Sequence, residues 1–318
     1  MGDVTLTQLG AFVLVARLGS VKAAATALGV SEPAVSQALA ALRQHLGDQL
    51  ITRGTSGMTL TAGGARLLTV ASQMVGLAAE AEAAVRAAKG VPESLRVVAT
   101  SPIAEFVATP LTDAFTRRTA RTVETTCGVA GVAEMPVLIG NRLADVALGP
   151  NLGGTANADL RSDPIFRTRI IVVGAGQSRS RGDPRHWSWL VDPSGTDPHS
   201  DTSRLLRRLR VPEPNIQVFP NQTAAWAAVA NGAGVAPALA HLVSQQLRRG
   251  ELSVVETPAT PVETAWYATT LPPERRSAAA SSLRSFLGTP EAMHLMRAPG
   301  SGVPPSRFRP PVYVTIWS

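Results

Sequence analysis

Between Val21 and Leu42 the chain carries two short apolar stripes at helical spacing, and the six residues between them, Gly29 to Ala34, leave room only for a tight turn. Val21, Ala24, Ala25 and Leu28 fall at i, i+3, i+4, i+7 on the first segment; Val35, Ala38, Leu39 and Leu42 do the same on the second. Gly29 can take the positive φ that ends one helix, and Ser31 can accept a backbone N–H bond as N-cap of the next. Glu32 and Pro33 suit a first helical turn, one complementing the helix dipole, the other lacking an N–H the helix would not use. The pattern is a helix-turn-helix.

In that geometry the second helix lies in the DNA major groove with its N-terminal residues at the base edges. Those residues are Ser31, Glu32, Pro33, Ala34, Ser36 and Gln37. Gln37 can pair with an adenine edge, Ala34 can touch a thymine methyl, and Ser31 and Ser36 can bond phosphate oxygens. Spacing alone leaves another reading open, a small helical bundle with a capped helix after a glycine.

The pattern extends in both directions. Leu9, Phe12, Val13 and Ala16 precede it, with Gly19-Ser20; Leu46-Gly47, Leu50, Arg53, Leu60-Thr61 and Gly63 follow. Together these residues resemble the N-terminal signature of LysR-type transcriptional regulators, without a gap over the first sixty or so residues. The resemblance implies a winged helix-turn-helix over 1–61, with 49–61 as the wing and Arg53 as its phosphate contact. Departures are Glu32 where the family usually has Gln, Arg43 where it has Glu, and Ser56 and Thr59 where it has basic residues. An acidic groove face and a wing poor in charge weaken attraction to phosphate.

Net charge does not carry the nucleic-acid reading. The chain is +7 overall, but residues 1–65 hold four basic groups (Arg17, Lys22, Arg43, Arg53) against three acidic ones (Asp3, Glu32, Asp48), and the excess lies elsewhere. The basic runs at 161–185 and 204–210 read as solvated surface. No apolar run approaches the ~18 residues that cross a bilayer, and no signal-peptide pattern opens the chain, so a soluble cytoplasmic protein is expected. Cys127 is the only cysteine, which excludes an intrachain disulfide and a cysteine-built metal site; it reads as a small buried hydrophobe.

Ala62 to Lys89 is proline-free, with a seam of Leu67, Ala71, Met74, Ala78, Ala81 and Val85 for packing on another helix. The resemblance implies a linker helix, residues 62–90, that pairs with its twin in a homodimer, in turn part of a homotetramer. Gly90 to Ser94 then reads as a hinge.

Beyond it, strands alternate with helices: Leu95–Thr100, Val123–Cys127 and Asp145–Leu148 as strands, and helices around 103–118 and 132–143. A second set runs through Arg169–Val173, Trp189–Asp192, Ile216–Phe219, a helix at Gln222–Asn231 and another at Ala238–Arg249, ending with Thr264–Thr270 and Arg275–Leu287. This argues for parallel sheets with helices on their faces, in two lobes. The segments 138–148, 229–237 and 247–252 resemble the effector-binding domain of the same regulators. The implied fold is α/β: a winged helix-turn-helix and long linker helix, then a two-lobed domain like a periplasmic binding protein over 91–288. Lobe one would comprise about 95–163 and 263–288, lobe two about 164–262, with crossing segments near 160–168 and 258–265.

Ligands of open α/β sheets sit beyond the carboxyl ends of strands. Those ends supply Thr100, Ser101, Pro102, Gly128, Ser194, Thr196, Gln222 and Thr223 as candidate effector contacts, and their hydroxyls, amides and helix-start N–H groups favour a small carboxylate. Each is equally an ordinary cap or turn residue. No cofactor or metal is expected beyond an effector. Asp197, His199, Ser200 and Asp201 are too close in one loop for a catalytic triad and too few for a zinc site, and read as a polar loop. The proline- and arginine-rich stretch 289–318 reads as extended.

The functional expectation is a sequence-specific transcriptional regulator, not an enzyme, whose partners are double-stranded operator DNA, a small-molecule effector, its own copies and RNA polymerase. A solute-binding module with a vestigial DNA-binding domain is the alternative.

Overall fold

A computed structural model describes residues 3–54, 57–88, 92–120, 122–154, 157–176 and 182–298. Helix α1 (Leu6–Leu18) starts at Thr5, which exchanges capping bonds with Gln8. Helices α2 (Val21–Leu28) and α3 (Glu32–Leu46) follow, joined through Gly29 at φ 67° and Ser31, whose hydroxyl accepts from the Ala34 N–H at 3.4 Å. The apolar stripes meet as their spacing requires: Ala24, Leu28, Val35, Leu39 and Leu42 bury themselves with Phe12 and Leu14 of α1. Each fully buried Leu or Phe contributes about 1.5–3 kcal/mol by leaving water.

The wing is a hairpin, β1 (Ile51–Gly54) against β2 (Gly57–Leu60). Arg43 does not face solvent idly: its guanidinium donates to the carbonyls of Gln49, at 2.8 Å, and Ile51, at 3.3 Å, and so holds the hairpin to α3. Across the turn the Asp48 carboxylate accepts from the Leu50 N–H and the Thr61 hydroxyl. Gly64 closes the arrangement because a Cβ there would lie 2.0 Å from the Leu50 carbonyl oxygen.

Helix α4 (Ala62–Ala88) packs along α1. Here the expected seam divides between two faces. Ala71 is fully buried and Leu67 joins the same core, so both belong to the face that α1 covers; the exposed ridge is Val70, Met74, Leu77 and Val85. The hinge expected at 90–94 falls partly on Gly90 and Val91, which lie outside the described residues.

The C-terminal part is built on a seven-stranded sheet of order β10-β6-β11-β5-β3-β4, with β9 also on β6. Strands β3 (Glu93–Ala99), β4 (Val123–Val129) and β5 (Val146–Gly149) are parallel, as alternation with helices requires. Between β3 and β4 runs a long helix: α5 (Ser101–Ile103), one π-helical turn at Ala104–Ala108, then α6 (Thr109–Arg118). Pro110 has no N–H to return to the carbonyl four residues back, and the helix widens just there. Helix α7 (Met135–Gly140) leads to β5.

The crossing segments belong largely to two long strands. β6 (Arg161–Ala175) is one 15-residue strand, paired antiparallel to β11 (Val262–Thr270) along its first half. Its second half lies between β9 (Ala236–Leu239) and β10 (Leu252–Val255), both antiparallel. The expectation of parallel pairing therefore fails for the second lobe's main strands; among the described residues parallel pairing there is confined to β7 (Trp189–Val191) with β8 (Ile216–Val218) and a single bridge from Trp189 to Val235.

Around them stand α8 (Asp201–Arg208), α9 (Gln222–Ala230) and α10 (Ser244–Arg248). The helix expected at 238–249 is thus a strand followed by a short helix. A four-residue apolar run, buried throughout, fits either element, and Pro237 sits where it starts. After α11 (Ala278–Leu287), Thr289 caps a further helix, α12 (Pro290–Arg297), which buries Ala292 and Met296. An extended tail from 289 is corrected accordingly: Pro290 is a first-turn proline, which helices accept. Residues 299–318 lie outside the described set.

Candidate functional site

On the N-terminal domain the residues expected to face DNA share one surface. Ser31, Glu32, Pro33, Ala34, Ser36 and Gln37 are all exposed, while Val35 between them is buried. The cap at Ser31 uses the hydroxyl oxygen's lone pair and leaves its proton available. Arg53 lies on β1 opposite Met58, and its side chain is outside the described set.

The second candidate site is a cavity of about 210 Å³ between the two halves of the C-terminal domain. Strand ends and helix starts from both halves line it, including Thr100, Ser101, Pro102, Ser194 and Gln222. Gly128, Thr196 and Thr223 do not reach it. Gly128 is buried within the β3–β4 ladder, opposite Val98. The Thr196 hydroxyl donates to the Pro193 carbonyl at 2.8 Å. Thr223 is taken by Glu105.

Glu105 sits on the π-helical turn of the first half, 1% exposed, and its carboxylate crosses to the start of α9. One oxygen accepts the Gln222 N–H and the other the Thr223 N–H, each at 3.0 Å, and the Thr223 hydroxyl donates to it as well. Beside this contact Phe106 stacks on Trp226, with centroids 5.3 Å apart. Burial pushes the Glu105 carboxyl upward, against the pull of those hydrogen bonds, and the neighbouring Asp192 adds to the rise. Asp192 is itself buried and raised for the same first cause; it accepts from the Ser194 hydroxyl at 2.7 Å.

The walls also contain residues that strand-end reasoning missed, such as Leu239 of β9 and Thr264, Ala265 and Trp266 of β11. Leu239 falls where a helix was expected, and Thr264 to Trp266 lie along a strand that was expected but whose antiparallel pairing, which turns it toward the cleft, was not. Asp197 and Asp201 line the cavity too. Asp197 accepts the Val132 N–H across the cleft at 3.1 Å, and Asp201 pairs with Arg204 and the Thr264 hydroxyl. Ser200 caps α8. The polar loop is therefore a set of caps and bridges. Behind Trp266, His241 is pushed down to about 4 by burial and shares a 2.7 Å hydrogen bond with Thr168. Burial raises the Cys127 thiol to about 12, which leaves it protonated and unreactive at neutral pH.

Both sites have counterparts among known proteins. Residues 6–65 match the bacterial regulatory helix-turn-helix protein family lysR, and residues 88–289 match the LysR substrate binding domain. The chain belongs to the LysR family. An HTH-type transcriptional regulator of Mycobacterium tuberculosis is 36% identical over 99% of this chain and 100% of its own length. Full-length LysG of Corynebacterium glutamicum with its bound effector Arg shares the fold at TM-score 0.52 and 20% identity, over 95% of this chain and 100% of that one. DarR of Vibrio fischeri in complex with DNA does so at TM-score 0.51 and 18% identity, over 91% and 99%. This LysR-type transcriptional regulator thus joins a DNA-binding helix-turn-helix to an effector-binding domain. Among its described residues no helix is long and apolar enough to cross a membrane.

Proposed function

We propose that this LysR-type regulator reads operator DNA through Ser31, Glu32, Pro33, Ala34, Ser36 and Gln37, with Arg53 on phosphate, and senses its effector in the interlobe cavity at Thr100, Ser101, Ser194 and Gln222. The observation that carries the reading is the α3 surface, where an exposed polar strip lies directly over a closed apolar core. On this division residues 1–61 bind DNA, 62–90 dimerise and 91–288 hold the effector. Val70, Met74, Leu77 and Val85, between 46% and 63% exposed, support a homodimer through α4, and two such dimers suit paired half-sites. A DNA-binding role supports the cytoplasm as its place of work. RNA polymerase as a partner rests on family membership alone. An effector shifts the regulator only by binding its two arrangements with different affinity.

A mobility-shift titration on the DNA upstream of this chain's own gene, against scrambled DNA over a salt series, tests the reading. Specific retention that Gln37→Ala relaxes at one base pair is expected; equal retention of both DNAs by the parent overturns it. Leu77→Asp should yield monomers in sedimentation, and an unchanged oligomer would remove α4 from the interface.

A further inference from the structure

The chemistry of the effector can be narrowed from what the cavity lacks. Its charged lining residues are Asp197 and Asp201, and among the described residues no Lys, Arg or His lines it. Two more buried carboxyl groups, Glu105 and Asp192, stand behind the start of α9, and the N–H groups that would greet an anion at that helix start already bind Glu105. Gln222 is 7% exposed and lines the cavity. Its side-chain oxygen, Oε1, is left as a buried acceptor with no partner. A buried acceptor without a donor is costly, and a ligand that supplies the donor recovers that cost.

We propose that the effector presents a positively charged N–H group, a protonated amine or guanidinium, to Gln222 Oε1, with its apolar body against Pro193, Pro237 and Trp266, and that carboxylate effectors are rejected. This rests on the cleft reading above and reverses the carboxylate preference expected from strand-end hydroxyls alone. An ammonium gains from Asp197 and Asp201 on the cavity wall, and Asp201 already pairs with Arg204. A carboxylate would meet like charge in a low-dielectric pocket.

The test uses benzylamine and benzoate, matched in size, titrated calorimetrically into the full-length protein. Benzylamine should bind at least about tenfold more tightly than benzoate. Gln222→Met should cost benzylamine about tenfold and leave benzoate unchanged. Should that variant fold poorly, Asp197→Asn serves in its place and should narrow the preference severalfold. Benzoate binding as well as benzylamine, or neither binding at millimolar concentration, overturns the inference. Ser101→Trp, which fills the cavity, separates it from the reading beneath it. If that variant blocks both probes while benzoate is preferred, the cleft stands and the charge assignment falls. If the probes bind it as they bind the parent, they sit elsewhere and the cleft reading falls.

Discussion

Helices α3 and α9 start alike. Each opens with a polar cap whose side chain accepts from the third residue on, Ser31 from Ala34 and Asn221 from Ala224, and each has a carboxylate at its first turn. At α3 that carboxylate is Glu32, local and exposed. At α9 it is Glu105, sent from another helix and buried. One helix start is left open toward a partner; the other is already occupied by the protein itself. What a helix start can bind therefore depends on which group reaches it first, and its cap does not reveal that.

The contrast breaks most visibly at Glu105. Glu105→Ala strands two N–H groups and a hydroxyl in a buried contact and should lower unfolding free energy by about 3 kcal/mol in a urea titration. Glu32→Ala, at the open start, should change stability by under about 1 kcal/mol and should tighten DNA binding by removing a charge that phosphate repels. Equal stability losses would mean that both carboxylates do the same job.

Gln37→Ala should cost about 1–3 kcal/mol of discrimination at a single operator position, read by binding to a set of substituted operators. A uniform loss across all substitutions would turn Gln37 into a phosphate contact. Removing the caps should weigh less at the open helix: Asn221→Ala, which loses a 2.8 Å bond from a buried residue, should cost about 1–2 kcal/mol in thermal melts, and Ser31→Ala, which loses a 3.4 Å exposed one, about 0.5 kcal/mol.

The smallest effect is a pH slope. Glu105 is raised above its ordinary 4.5, so above that value the folded chain holds more protons than the unfolded one. Stability should then fall as pH rises through the folded pKa, and Glu105→Gln should flatten the fall. A parent that gains stability across that window would show that the hydrogen bonds, rather than burial, govern the carboxyl.

The two regions also differ in how far they could be read from sequence. Every bond that shapes the helix-turn-helix joins near neighbours: Ser31 to Ala34, Arg43 to Gln49 and Ile51, Asp48 to Thr61. Local spacing and cap chemistry suffice for such a unit. The contact that occupies the start of α9 spans 118 positions, and nothing near Thr223 announces it. The cavity walls from β9 and β11 were hidden for a related reason. A run such as Val235 to Leu239 has no periodicity to choose strand over helix until a neighbouring strand pairs with it. The α4 seam mixed residues of two faces because an alanine-rich helix offers two apolar stripes, and only α1 decides which is spent internally.

Strands β6 and β11 enter the second lobe side by side, with Arg161 opposite Thr270. Everything between those two positions hangs from a single seam, much as an insert hangs from its splice points in a gene. A graft cut there would carry α8, α9 and most of the cavity's far wall into a relative and leave β3, β4, β5 and the DNA-binding unit untouched. Glu105 stays behind in such an exchange, so a foreign insert would have to bring its own Asn-Gln-Thr start to meet it. That pairing, with the Asp197 bond to Val132, limits which second lobes this scaffold can accept, and hence how readily it acquires a new effector.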